Sequence, residues 1–343
     1  DAIRKRCENE VLGYTGKPDS YYNAIINWVK QRYDLIVTKE VINFVPGIVP
    51  GIGMAMNCFT QKGDKVMIQP PVYHPFAWVT TRNERTLVIN PLRWENGMYR
   101  MDLDAFREQI KGCKLFILCN PHNPGGVVWT EAELRAIADI CYDEKVLVFS
   151  DEIHADLTLP PHTHRPFATV SEKARMNSVT FMSPSKAFNM PGLSASHALI
   201  FNEDLRKRFR IYMDAGELDM GHVFAFLSVE AAYSHGTEWL DQCLAYIQGN
   251  IDFVDEFLKK HAPKIKAIRP EASYLVWLDC RELELSQKDL NEFFVDKAHL
   301  ALNDGEMFGK EGIGFMRLNV ASPRCIIEKA MKQLADAYQL YIK

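Results

Sequence analysis

Lys186 stands in Ser183-Pro-Ser-Lys186, a lysine beside two hydroxyls that follows directly on the apolar run Val179-Thr-Phe-Met182. Asp151 stands in Ser150-Asp-Glu152, directly after a second apolar run, Val146-Leu-Val-Phe149. Short apolar runs bounded by polar residues read as buried strands, so each of two strands delivers a reactive side chain at its end. An amine that forms an imine, a carboxylate that pairs with a ring nitrogen and hydroxyls that hold a phosphate are together what pyridoxal 5′-phosphate (PLP) asks of a protein. The chemistry would then lie at Cα or Cβ of an amino acid. The imine lysine must sit near a carbonyl and be able to shed its proton. The acid must face the pyridine nitrogen, so that the ring accepts the electron pair left when a Cα bond breaks. Each residue also has a plainer reading: a solvated loop lysine, and an acid that caps a helix after a strand. Glu152 competes with Asp151, which lies closer to the strand end.

Other segments offer matching chemistry. In Asn120-Pro-His-Asn-Pro-Gly-Gly126 the prolines and glycines fix an unusual loop path that presents Asn123, whose amide can donate to a phenolate oxygen. Gly47-Ile-Val-Pro-Gly-Ile-Gly53 leads into an apolar helical stretch, and the backbone N–H groups of a helix start bind phosphate. No acidic residue follows at the distance a dinucleotide fingerprint requires. Ser183 and Ser185 can complete the phosphate cup. Tyr73, in Pro70-Pro-Val-Tyr-His-Pro75, reads as a ring-stacking residue or as a core tyrosine. Arg317, in a strand-like run, suits a substrate carboxylate or a structural ion pair. His162-Thr-His164 lacks further ligands and reads as a surface loop, so no metal site is expected.

These residues need a frame. Residues 19–33 read as a helix with Ile25, Trp28, Val29 and Arg32 on one face and Asp19 or Ser20 as its cap. Residues 65–68, 86–89, 115–119 and 146–149 read as strands. Residues 131–143 read as a helix opened by a Thr130/Glu133 capping box. This alternation predicts an α/β fold with a mostly parallel central sheet covered by helices. Ligands of such sheets lie outside the carboxyl ends of the strands, where the loops 120–126, 150–154 and 183–186 all fall. After about residue 235 the pattern changes to a long helix (237–260), strands at 273–278 and 315–319, and a closing helix from about 323: a smaller α+β C-terminal domain.

The totals exclude several classes. The 343 residues suffice for about two domains. The net charge of −4 leaves no basic footprint for nucleic acid, and no apolar run approaches the roughly 18 residues of a membrane span. The eight cysteines are scattered without a Cys-x-x-Cys pair and read as reduced thiols of a cytoplasmic protein. Ile3, Cys7 and Val11 give residues 1–12 the look of the tail of an amphipathic helix, so a segment ahead of Asp1 is expected.

Taken together, the motifs resemble the fold-type I PLP enzymes of the class I/II aminotransferase superfamily, and within it the MalY/PatB-type cystathionine β-lyases, or C–S lyases. The likeness runs over essentially the whole chain. It includes Gly13-Tyr-Thr15, Pro71-Val-Tyr-His-Pro-Phe76, Cys119–Gly126, Ser150-Asp-Glu-Ile-His-Ala-Asp156, Ser183-Pro-Ser-Lys-Ala-Phe-Asn189, Tyr274-Leu-Val-Trp-Leu-Asp279 and Phe315-Met-Arg-Leu-Asn319. The resemblance implies a three-layer large domain (14–235) and a small domain (1–13 and 236–343). It implies that Lys186 carries the cofactor, Asp151 pairs with the ring nitrogen, and Asn123 and His154 lie near the phenolate. Tyr73 would stack on the ring, and Ser183 with the backbone of Ile48 and Val49 would hold the phosphate. Tyr14 would reach the phosphate of a neighbouring subunit, making a homodimer with a shared site, and Arg317 would clamp the substrate α-carboxylate. Eight residues after the lysine, where many aminotransferases carry a phosphate-binding arginine, this chain has Ser194.

The expected reaction is β-elimination: the Lys186 amine removes the Cα proton, a thiolate leaves Cβ, and hydrolysis gives pyruvate and ammonia from cystathionine or a cysteine conjugate. Transamination begins with the same proton removal. A PLP-binding regulatory protein with little turnover is an alternative of another class.

Overall fold

The computed structural model describes residues 1–341. The apolar runs become β1 (Ile42–Val45), β2 (Lys65–Ile68), β3 (Thr86–Ile89), a hairpin of β4 (Arg93–Glu95) and β5 (Met98–Arg100), β6 (Cys113–Cys119), β7 (Leu147–Asp151), β8 (Ser178–Met182) and β9 (Ser196–Leu199). Seven of them form one sheet in the order β1-β9-β8-β7-β6-β2-β3. The pairs from β3 to β8 are parallel, and β9 runs against its two neighbours.

The pleat divides β6 between two cores, because successive side chains point to opposite faces. Leu115, Ile117 and Cys119 join the apolar side of the helix Ile48–Phe59 (Ile52, Ala55, Met56). Phe116 and Leu118 join Leu134, Ile137 and Cys141 of the helix Glu131–Asp143. Both faces are therefore covered, as a parallel sheet requires, and the large part has three layers. The helix Glu131–Asp143 opens with the expected Thr130/Glu133 capping box.

The C-terminal part is a smaller antiparallel sheet of β10 (Lys266–Ile268), β11 (Leu275–Asp279), β12 (Asn303–Asp304) and β13 (Phe315–Asn319), in the order β10-β11-β13-β12. One face packs on the helices Thr237–His261 and Arg324–Tyr341 through Val276, Leu278, Met316 and Leu318. Period-2 alternation sends Trp277 and Phe315 to the opposite face, where they join the core of the large part. Arg317, two residues beyond Phe315, lies on that same face.

Four expectations change. The helix Asp19–Tyr33 is capped by neither Asp19 nor Ser20: its N-cap is Pro18. Asp19 pairs instead with Lys39, and the Ser20 hydroxyl donates to Glu230. Residues 1–12 are helical only over Ala2–Cys7, because the Arg6 guanidinium donates to the Asn9 and Val11 carbonyls and the chain turns away. That short helix buries no residue and lies against the helix Val223–His235, on the large-sheet side. β7 runs to Asp151, two residues beyond the predicted strand. His164 is not on a surface loop. It is buried, with Nε2 2.8 Å from Glu152 Oε2.

Candidate active site

β6, β7 and β8 are parallel neighbours in register, with Cys119 opposite Asp151 and Asp151 opposite Phe181. Their carboxyl ends open side by side, so the loops after them meet at one cavity of about 440 Å³. That is within the roughly 300–1,000 Å³ of small-molecule sites. The cavity is lined by Ile48, Val49, Tyr73, Asn123, Asp151, His154, Ser185, Lys186 and Arg317 among others. Nine of the eleven sequence-predicted site residues therefore share one chamber; Ser183 and Tyr14 stand outside its lining.

Asp151, the last residue of β7, is 3 % exposed, and its carboxylate accepts one hydrogen bond, from Ile153 N at 3.1 Å. Burial pushes its pKa up to about 7, with the neighbouring Glu152 adding to the rise and Lys186 opposing it. Burial lowers the pKa of Lys186, and the charge of Arg317 adds to that effect, with Asp151 opposing. The lysine is thus biased toward the free amine, the form that attacks a carbonyl.

Arg317 reaches the cavity from β13. Its Nη1 donates to Asn123 Oδ1 at 2.9 Å and its Nη2 to Asn303 Oδ1 at 2.7 Å. Its guanidinium carbon lies 4.6 Å from the centroid of the Phe308 ring. Buried Nε has no partner among the described residues. His154 is also buried with Nδ1 unpartnered. Burial, then the charges of Lys186 and Arg317, hold it down to about 3, so it is neutral.

Tyr73 is half-buried on the cavity wall and is not a core residue, with its ring edge-to-face on Phe76. The helix Ile48–Phe59 begins at Gly47, whose φ of 142° brings the chain into the helix at an angle that suits glycine. No side chain among the described residues caps its first N–H groups, so Ile48 and Val49 present backbone donors at the cavity. A Cβ on Gly51 would come within 2.9 Å of Val45, so glycine there lets the helix sit close on the strands.

Ser183 stands apart. Its hydroxyl donates to Ala195 O at 2.7 Å and accepts from Ser185 N at 3.1 Å. A hydroxyl has one proton, so Ser183 would have to turn away from Ala195 to donate to a phosphate. Tyr14 is 97 % exposed and lines no part of this cavity. Ser194 lies on the wall in a left-handed conformation.

The model for aminotransferases of class I and II matches residues 5–334. The chain belongs to that family. It is 37 % identical to cystathionine beta-lyase PatB of Bacillus subtilis over 98 % of this chain and 88 % of PatB. Cystalysin from Treponema denticola, whose crystal structure contains pyridoxal 5′-phosphate, is 34 % identical and superposes with a TM-score of 0.96 over all of this chain and 87 % of that one. A PLP-bound C–S lyase from Staphylococcus hominis is 33 % identical, with a TM-score of 0.91 over 98 % of this chain and 88 % of that one.

The side chains of this class I/II family member fit PLP on their own geometry. A buried acid with a single hydrogen bond lacks the cationic donor that a pyridinium supplies. An uncapped helix start, the unpartnered His154 Nδ1 and the unpartnered Arg317 Nε await acceptors or donors. An unsatisfied buried polar group costs about 1–3 kcal/mol, so several around one cavity mark it as built for a ligand.

Sequence reasoning missed Asn303, Phe308 and Tyr274. Tyr274 lies on the cavity wall, edge-to-face with His154. Its position just before β11 was a usable signal, since Leu275 and Arg317 of the same sheet also face the cavity. Asn303 sits in a two-residue strand that carries no periodicity to read.

Proposed function

We propose that this chain binds PLP at the Lys186 cavity and is a C–S β-lyase, cleaving L-cystathionine or cysteine S-conjugates to pyruvate, ammonia and a thiol. The observation that carries the reading is the meeting of Lys186, Asp151 and Arg317 at one cavity in a chain 37 % identical to a cystathionine β-lyase.

Bound PLP supplies an imine-forming carbonyl and a sink for the electron pair left at Cα. Lys186 Nζ would hold it covalently, Asp151 would accept from the ring N–H, and Asn123 and His154 would face the phenolate oxygen. Tyr73 would lie against the ring. Ser185 and the N–H groups of Ile48 and Val49 would hold the phosphate, joined by Ser183 once its hydroxyl turns.

Arg317 orients the substrate by its α-carboxylate. Lys186 Nζ, its proton affinity lowered by burial and by Arg317, takes the Cα proton. The Cα=Cβ bond forms as the Cβ–S bond breaks, and the sulfur leaves with the bonding pair as a thiolate. One water then converts the aminoacrylate to pyruvate and ammonium. Transamination remains the second reading, because the family model is that of aminotransferases; it differs in where the proton held by Lys186 returns.

The division of the chain follows the same reading: residues 14–235 hold the cofactor and 236–343 supply the carboxylate clamp. Residues 1–13 were expected to join the latter, but the helix Ala2–Cys7 lies against the former. Exposed Tyr14 supports a homodimer in which it completes the partner's site. No helix among the described residues is long and apolar enough to cross a membrane. All eight cysteines are free, which supports a reducing, cytoplasmic setting.

The test is incubation of the PLP-loaded protein with L-cystathionine, and separately with amino acids plus 2-oxoglutarate. Pyruvate and free thiol without an added keto acid are expected. Glutamate formation alone would replace the lyase with the aminotransferase. No product in either, with the cofactor still bound, would leave a binding protein.

A further inference from the structure

A cation drawn part-way out of water, as half-buried Arg317 is, ordinarily pairs with a carboxylate. Arg317 has no such partner among the described residues: the two acceptors it meets are the amide oxygens of Asn123, from the loop after β6, and Asn303, from β12. β12 and β13 pair antiparallel with Asn303 directly opposite Arg317, so both side chains project from the same face of the sheet. The next residue, Asp304, is a carboxylate, but alternation turns it away. It accepts from Gln287 and Asn291 and caps Glu306 N. The clamp thus has a neutral oxygen where an acid lies one residue off. Phe308 supports the guanidinium from one face without altering its charge.

We propose that Asn303 is a positioning residue for the substrate carboxylate: with Asn123 it fixes the Arg317 guanidinium between the two sheets by neutral acceptors, so that the whole charge serves the ligand. This rests on the reading of Arg317 as the α-carboxylate clamp. Of the five guanidinium N–H groups, Asn123 and Asn303 take one each, which leaves one on each Nη for a two-pronged carboxylate. A carboxylate at position 303 would fill the same space and compete for the same cation.

The test uses PLP-loaded wild type, Asn303→Asp and Asn303→Ala, with two probes that carry no amine and cannot react: 3-(methylthio)propionate and its alcohol, 3-(methylthio)propan-1-ol. Calorimetry gives the affinity of each. Wild type should prefer the carboxylate. Asn303→Asp should lose that preference by roughly tenfold or more and Asn303→Ala by about three- to tenfold, as a charge-assisted contact is neutralised or loosened. Affinity for the alcohol should hold in both. With L-cystathionine, KM should rise while kcat changes little. A wild type that prefers the carboxylate, with both variants unchanged, overturns this inference alone. A wild type with no preference overturns the clamp reading as well. If Asn303→Ala does not fold, the isosteric Asn303→Asp decides the matter.

Discussion

Asp151 and Glu152 are adjacent acids, both buried at the end of one strand, and their surroundings are opposite. Glu152 is saturated: it accepts from Ser150 Oγ and Phe167 N at 2.8 Å each, and His164 Nε2 lies 2.8 Å from its second oxygen. Asp151 has one backbone donor and a cavity in front of it. The pleat sends neighbouring side chains to opposite sides, so one acid fastens the loop 164–167 behind the sheet and the other stays available to a ligand. In this fold a buried acid that is fully hydrogen-bonded is structural, and one left short of partners marks the site.

Substitutions can break or sharpen that contrast. Asp151→Asn should lower PLP-dependent turnover by at least about 100-fold, the scale for a group that stabilises charge developing in a transition state, measured as pyruvate release at saturating cofactor. The same change alters the stability of the cofactor-free protein. The folded form holds the Asp151 proton up to about pH 7, well above the ordinary value of 3.8. The unfolded chain sheds it earlier, so folded-state stability from this group falls as pH rises from about 4 to about 7, by roughly 4 kcal/mol at most. Chemical denaturation across that window should show the decline in the wild type and its loss in Asp151→Asn.

Glu152→Ala should do the reverse. It leaves Ser150, His164 and Phe167 N without their acceptor and should cost about 1–3 kcal/mol for each group so orphaned, read as a lowered denaturation midpoint, while the folded fraction keeps most of its turnover. The smallest effect belongs to His162→Ala. His162 is partly exposed and 3.8 Å from Glu271, so stability should change by less than about 1 kcal/mol, and turnover should not change.

The strands, the capping box and the loops that carry Lys186, Asp151 and Asn123 were legible because each is a local signal: an apolar run, a turn, a reactive residue at its end. What escaped depends on pairings distant in sequence. Asn303 meets Arg317 only through the register of β12 on β13, and Arg317 meets Asn123 only because one face of the small sheet packs on the large one. His164 looked like a loop residue among prolines, since nothing local shows that Glu152 lies beneath it. The hydroxyl of Ser183 was visible, but its commitment to the Ala195 carbonyl was not. Tyr14 was read from family resemblance, and the structure leaves it exposed.

The decisive measurement is borohydride reduction of the PLP-loaded protein, followed by peptide mapping. The phosphopyridoxyl group should be found on the peptide that contains Lys186 and should disappear in Lys186→Ala together with pyruvate release. Label on another lysine, or a reducible linkage that survives Lys186→Ala, would contradict the assignment of this cavity as the site of catalysis.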